Sequence, residues 1–183
     1  METLEAIGRQ RVVRAFQERA LPESVVTTIL DAGRRAGSSK NLQRWAFITI
    51  SDRSTLERLS KVGPWCGHLA GATMAVALVT PDPRAAAAPL SVMWDLGRAA
   101  QNMTLAAWDL GVGSCPATVY EQDACREALG YPGDHHCEFI LSLGYPLDAT
   151  DLTRPLKAGG RHDLGSMIHA ERWDATGGLP RPG

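Results

Sequence analysis

The chain lacks an apolar run fit to span a membrane. Its first ten residues, METLEAIGRQ, have no signal-peptide core, and its most apolar long segment, residues 90–110, is interrupted by Asp95, Arg98 and Asp109. A cytoplasmic protein without a membrane partner is expected. Excess charge is lacking too, because 19 Lys and Arg stand against 20 Asp and Glu, without the basic surplus of a nucleic-acid binder. Any anion site must therefore be local. The four cysteines, Cys66, Cys115, Cys125 and Cys137, form no CxxC pair, so neither a zinc knuckle nor a redox dithiol is signalled and reduced structural thiols are expected. The run His135, His136, Cys137, Glu138 fits no strong ligand spacing, and no metal is expected. His68, His162 and His169 stand alone and read as surface or hydrogen-bonded histidines. A dinucleotide-binding glycine fingerprint is also missing.

What remains is an ordinary globular composition. The 183 residues, 44% apolar and 21% charged, fit one domain over residues 1–173, followed by a Gly- and Pro-rich flexible tail over 174–183. Residues 1–10 read as helix and 11–16 as a short extended piece. Pro22 then opens a helix whose apolar positions Val25, Val26, Ile29 and Leu30 fall at helical spacing through Ala36. Residues 46–50 read as a strand, Ser51 or Asp52 caps a helix to about residue 61, and residues 74–80 read as a buried strand.

The most regular helix follows a linker at 81–88. Met93, Leu96, Ala100, Met103, Ala107 and Leu110 draw one apolar stripe, which Val92, Ala99 and Ala106 widen. Such a helix should be covered on several sides, within one domain or between two subunits. Residues 114–120 read as a turn or short strand, a helix runs near 121–129, and 139–143 make a further strand. Strands mixed loosely with helices favour an α+β sheet packed by helices.

Two segments concentrate polar groups. In AGSSKNLQRWAF, residues 36–47, Gly37 suits a left-handed helix end, and Ser38, Ser39 and Asn41 can bond to nearby backbone or to a ligand. In residues 11–16, Arg11 and Arg14 flank Val12 and Val13, two guanidinium forks that suit a phosphate or an ordinary solvated surface. Trp65, in the irregular residues 62–73, can cover a pocket and meet a substrate, or pin its loop to the core by packing.

Four blocks, in order, resemble the flavin-dependent nitroreductase family. Residues 36–47 are similar to its Ala-Pro-Ser-Ser-x-Asn-x-Gln-Pro-Trp-x-Phe, with Gly37 and Arg44 in place of the prolines. Residues 10–16 resemble its Arg-Arg-Ser-x-Arg-x-Phe, with Gln10 and Val12 replacing an arginine and the serine. Residues 94–116, WDLGRAAQNMTLAAWDLGVGSCP, resemble its central helix and following loop, and RHDLGSMIHAERW, residues 161–173, its C-terminal block. There Arg161 keeps an arginine, while Gly159 stands where a lysine is usual.

The resemblance implies an α+β fold with a mostly antiparallel central sheet, built as an intertwined homodimer with the long helix at the interface. It implies FMN as cofactor, reduced by NAD(P)H and reoxidised in the same pocket by an electron-poor acceptor such as a nitroaromatic or quinone, in ping-pong fashion. Arg11, Val12, Arg14 and Arg161 would lie toward the phosphate and ribityl chain. Gly37, Ser38, Ser39 and Asn41 would contact the flavin, from the other subunit, and the backbone of Pro116, Ala117 and Thr118 through Val119 would address its N5. The flavin performs the chemistry, so no side-chain acid or base is required. The substitutions at Gln10, Val12 and Gly159 keep open a non-catalytic flavin binder, and a flavin or deazaflavin reductase of narrower substrate is a second alternative.

Overall fold

The computed structural model describes residues 3–156 and 160–173. Lys157 and Gly159, and the tail at 174–183, lie outside the described residues. The chain divides into two compact units, Met1–Thr153 and Arg154–Gly183.

The first unit is a four-stranded antiparallel sheet in the order β1-β2-β4-β3 with helices on both faces. Its strands are β1 (Ala46–Ile50), β2 (Met74–Pro81), β3 (Gly113–Thr118) and β4 (His135–Gly144), and its helices are α1 (Thr3–Arg9), α2 (Glu23–Arg34), α3 (Arg53–Leu59), α4 (Ser91–Asp109) and α5 (Gln122–Leu129).

β2 shows why the sheet is central. Ala75, Ala77 and Val79 face one apolar cluster with Leu56, Leu59 and Ile140, whereas Met74, Val76 and Leu78 face another with Ile29, Leu96 and Met103. A strand covered on both faces needs a nearly continuous apolar run, and MAVALV supplies it before the buried Thr80. On the second face α4 packs against α2, where Asn102 Nδ2 donates to the Ala32 carbonyl at 3.1 Å.

The expected helix starts hold. Pro22 is the N-cap of α2, and Asp52 caps α3 by accepting from the Thr55 amide at 2.7 Å. Strand β4 begins at His135, four residues before the expected start. The polar run His135–Glu138 hides it, and so does a bulge: Leu78 pairs with Phe139 but Val79 with Cys137, leaving Glu138 as the extra residue. The turn or short strand expected at 114–120 is β3, the sheet edge.

Helix α4 buries Val92, Leu96, Ala99, Met103 and Ala107. Its opposite side, with Trp94, Gly97, Arg98 and Gln101, is exposed in the protomer. Among the described residues, no helix is long and apolar enough to cross a membrane. In the second unit, a short turn at Leu164–Met167 precedes His169 stacked on Trp173 at 4.1 Å.

Candidate functional site

β3 is an edge strand whose free edge is covered by two segments. The N-terminal segment bridges it in parallel, Val12 to Ser114, with the Val13 amide donating to the Ser114 carbonyl at 2.9 Å. Val13 can come this close because residue 113 is glycine: a Cβ there would sit 2.6 Å from Val13 Cβ. With Val13 and Phe16 buried, Arg14 turns outward and is exposed. Residues 62–73 cover the other end. The Cys66 thiol donates to the Thr118 carbonyl at 3.2 Å, and the Tyr120 and Glu121 amides donate to the Val62 carbonyl.

Between these segments lies a cavity of about 390 Å³ lined by Arg14, Pro64, Trp65, Gly67, His68 and Pro116. Its one charged lining side chain is a guanidinium, and no carboxylate lines it. An anionic or electron-rich flat ligand suits such walls. The strand's alternation decides which amides look outward. The Ser114 and Thr118 carbonyls are taken by the covering segments while the Val119 amide donates to the Glu138 carbonyl across the sheet. Residues 114, 116 and 118 therefore point to the free edge. Pro116 has no N–H, which leaves Thr118 as the outward donor of the 116–119 stretch.

His68 was not among the residues singled out as site candidates. Its Nδ1 is 2.8 Å from Ser142 Oγ, which in turn donates to the Cys115 carbonyl at 3.2 Å, and its Nε2 is buried without a hydrogen bond. Burial first, then the Arg14 cation, pull its pKa below the ordinary histidine value, against the Pro116 carbonyl. The neighbouring thiols stay protonated: burial pushes Cys66 up to about 11, and burial raises Cys115 despite Arg14 beside it.

The other predicted residues lie elsewhere. Arg11 folds back on helix α1, donating to the Gly8 and Gln10 carbonyls at 2.8 and 2.9 Å, as a cation does at a helix C-terminus. Val12 bridges Ser114 through its backbone. Gly37 does not adopt the left-handed conformation expected of it; the left-handed residues are Lys40, Asn41 and Gln43. The Arg98 guanidinium of α4 lies against Gly37, where a Cβ would have to displace it. The same helix holds the loop through buried Asp95, whose Oδ2 accepts from the Ser39 amide at 2.9 Å. Ser38 Oγ accepts from the Gln43 amide at 3.0 Å, and Gln43 reaches Asn41 Oδ1 at 3.2 Å. Three non-glycine residues in left-handed backbone are a concentration typical of ligand-contacting loops.

Ser38, Ser39 and Asn41 do not line the Arg14 cavity, so one protomer does not bring the two predicted sets together. Arg44 is exposed and lines shallow cavities with Pro81 instead. Trp65 is 71% exposed, so of its two readings it covers the cavity instead of anchoring in the core. Arg161, in the second unit, is exposed and donates to the Gly160 carbonyl. A larger cavity of about 540 Å³ lies between α2 and β1, but its charges, Arg34 and Asp31, pair with each other at 2.6 Å.

A charge inside an apolar stripe was the available signal for Asp95. His68 gave none, sitting in a stretch without periodicity. The His135–Glu138 run does not converge: His136 is held between Arg84 and Glu138, while Cys137 turns into the core. Among the described residues, no three His, Cys, Asp or Glu side chains gather as metal ligands.

The nitroreductase family model matches residues 7–66 and 63–145. The chain belongs to the nitroreductase family. A relative from Archaeoglobus fulgidus, provisionally named NADH dehydrogenase/NAD(P)H nitroreductase, is 34% identical over 94% of this chain and 99% of its own length. The NADPH-flavin oxidoreductase of Vibrio harveyi is 28% identical over 79% of this chain and 65% of its own. Among solved structures, the FMN-dependent nitroreductase of Clostridium difficile R20291 is similar with a TM-score of 0.72 and 25% identity, over 80% of this chain and 88% of that one. The family's fold is the one described above.

Proposed function

We propose that the chain holds FMN in the cavity at the free edge of β3 and passes electrons from NAD(P)H to an electron-poor acceptor such as a nitroaromatic or quinone. Family membership makes it an oxidoreductase, and its relatives' names support NAD(P)H as donor. The observation that carries the cofactor reading is the cavity itself, with a guanidinium, no lining carboxylate and the flat faces of Trp65 and Pro116; the outward amide of Thr118 lies two residues along the same strand from Pro116. These groups fit a flat anionic ligand. Bound FMN supplies the hydride and electron chemistry, which none of these side chains provides.

The chain's residues bind and orient. Arg14 offers a charge-assisted fork, Arg11 is a further cation of the same segment for the phosphate, and Val12 has no hydroxyl to offer. Thr118 presents its N–H where Pro116 cannot. Trp65 screens the cavity from water and lies where a substrate would stack. Gly37, Ser38, Ser39 and Asn41 complete the site from a second copy of the chain, since they do not line the Arg14 cavity of their own protomer. The exposed side of α4, with Trp94 and the small Gly97, is the surface that second copy would cover. Residues 1–173 would then act as one functional domain in the cytoplasm, where the four free, buried cysteines stay reduced.

The visible spectrum of the purified protein supplied with FMN tests this reading. A bound-flavin spectrum that bleaches anaerobically on adding NADH or NADPH, and returns with a quinone, is expected. A bound flavin that never bleaches would instead mark a non-catalytic binder, the reading that Val12 and Gln10 keep open, and a protein that binds no FMN would end the cofactor reading.

A further inference from the structure

We propose that His68 takes up a proton when an anionic ligand settles beside Arg14, becoming a second cation of the cavity. This rests on the cofactor reading above, with FMN as the anion.

The charged ring fits its surroundings. Ser142 Oγ lies 2.8 Å from His68 Nδ1 and 3.2 Å from the Cys115 carbonyl, to which it can donate its single proton. An Nδ1–H can then donate to the Ser142 oxygen, while Nε2 is buried with no hydrogen-bond partner. A proton taken up from solvent leaves both ring nitrogens protonated, and the Pro116 carbonyl favours that charged ring.

The groups around the ring make His68 the one that changes charge near neutrality. From the N-terminal segment comes the Arg14 guanidinium. From β3 come Cys115, whose thiol burial keeps protonated, and the Pro116 carbonyl; from β4 comes the Ser142 hydroxyl. Within its own loop Cys66 is likewise protonated, its pKa pushed up to about 11. Without an anion beside it, the Arg14 guanidinium disfavours a second positive charge nearby. An anion beside Arg14 cancels that repulsion and attracts the new charge, and opposite charge at this range moves a pKa by about 1–3 units. Ligand affinity then rises as pH falls, and His68 restores a charge in a family member that has Gln10 where arginine is usual.

Isothermal titration of FMN into the flavin-free full chain, in buffers of different ionisation enthalpy near neutral pH, counts the protons taken up. Wild type should take up more protons than His68→Gln, with the phosphate's own titration cancelling in the difference. Equal proton counts in two proteins that both bind FMN overturn the proton linkage and leave the cofactor reading standing. Absence of FMN binding to wild type overturns both. Should His68→Gln fail to fold, NMR titration of the wild-type His68 ring decides: its midpoint should rise by about one unit or more with FMN present, and an unmoved midpoint overturns the proposal.

Discussion

Replacing Asp95 by Ala separates the signature loop from the helix that holds it. Asp95 is 7% exposed, and its Oδ2 accepts from the Ser39 amide at 2.9 Å, across 56 residues of chain. A hydrogen bond to a charged group contributes about 1.5–3 kcal/mol. The loop it restrains also carries three left-handed non-glycine residues, each of which relaxes more readily once the tether is gone. Asp95→Ala should therefore lower unfolding stability by about 1.5–3 kcal/mol. Asp95→Asn, which keeps an oxygen acceptor but not the charge, should lose about half as much. Urea titration measures both, and an unchanged slope with a shifted midpoint assigns the change to stability. If the loop contacts the flavin, the same restraint pre-organises the site, and loss of 1.5–3 kcal/mol would weaken FMN binding by roughly 10- to 150-fold. The Ser39 amide should lose its protection from hydrogen exchange. An Asp95→Ala protein within about 0.5 kcal/mol of wild type, with Ser39 still protected, would refute the tether.

Three further outcomes follow from the same contacts. Gly113→Ala would put a methyl 2.6 Å from Val13 Cβ in a buried bridge and should cost about 1–3 kcal/mol in thermal or urea unfolding; a neutral result would show that the bridge holding Arg14 is loose. Because the native pKa of His68 lies below its ordinary 6.5, the unfolded chain takes the proton first, so stability contributed by the neutral ring is full above 6.5 and drains as pH falls through it toward the native value. Wild type should then lose stability faster than His68→Gln below pH 6.5, and parallel curves would contradict the buried neutral ring. Cys66, its thiol pushed up to about 11 by burial, and the three other buried cysteines should react with a thiol reagent near neutral pH only after denaturation; rapid labelling of the native protein would contradict their burial.

Much of the frame was legible in residue order because it follows from periodicity and caps. The stripe from Met93 to Ala107 marked α4, the unbroken apolar run of β2 marked a strand covered on both faces, and Pro22 and Asp52 marked helix starts. Elements whose signal is not periodic were harder to read. The start of β4 was hidden by His135, His136 and the bulged Glu138, residues whose polarity suits a partly covered strand end. Gly37 is not in the left-handed backbone expected of it and lies instead against Arg98, 61 positions away, and no local pattern reports a long-range contact.

For the site, the motif blocks pointed to Arg14 and to Pro116, which do line one cavity. Linear order could not say that Ser38, Ser39 and Asn41 would stay out of that cavity in their own protomer, or that Arg11 would spend its donors on the carbonyls of α1. Nor could it find His68, whose role comes from Ser142 and Cys115 on two other strands. Trp65 was visible as a choice between cover and anchor, and only its exposure decides for cover.

The central claim is that the Arg14 cavity at the edge of β3 is where FMN binds. Fluorescence titration of FMN with wild type and Arg14→Ala tests it most directly. Loss of one charge-assisted partner should raise the dissociation constant by roughly 10- to 150-fold while leaving unfolding stability within about 0.5 kcal/mol, since Arg14 is exposed. Equal FMN affinity in the two proteins would place the flavin elsewhere and contradict the account.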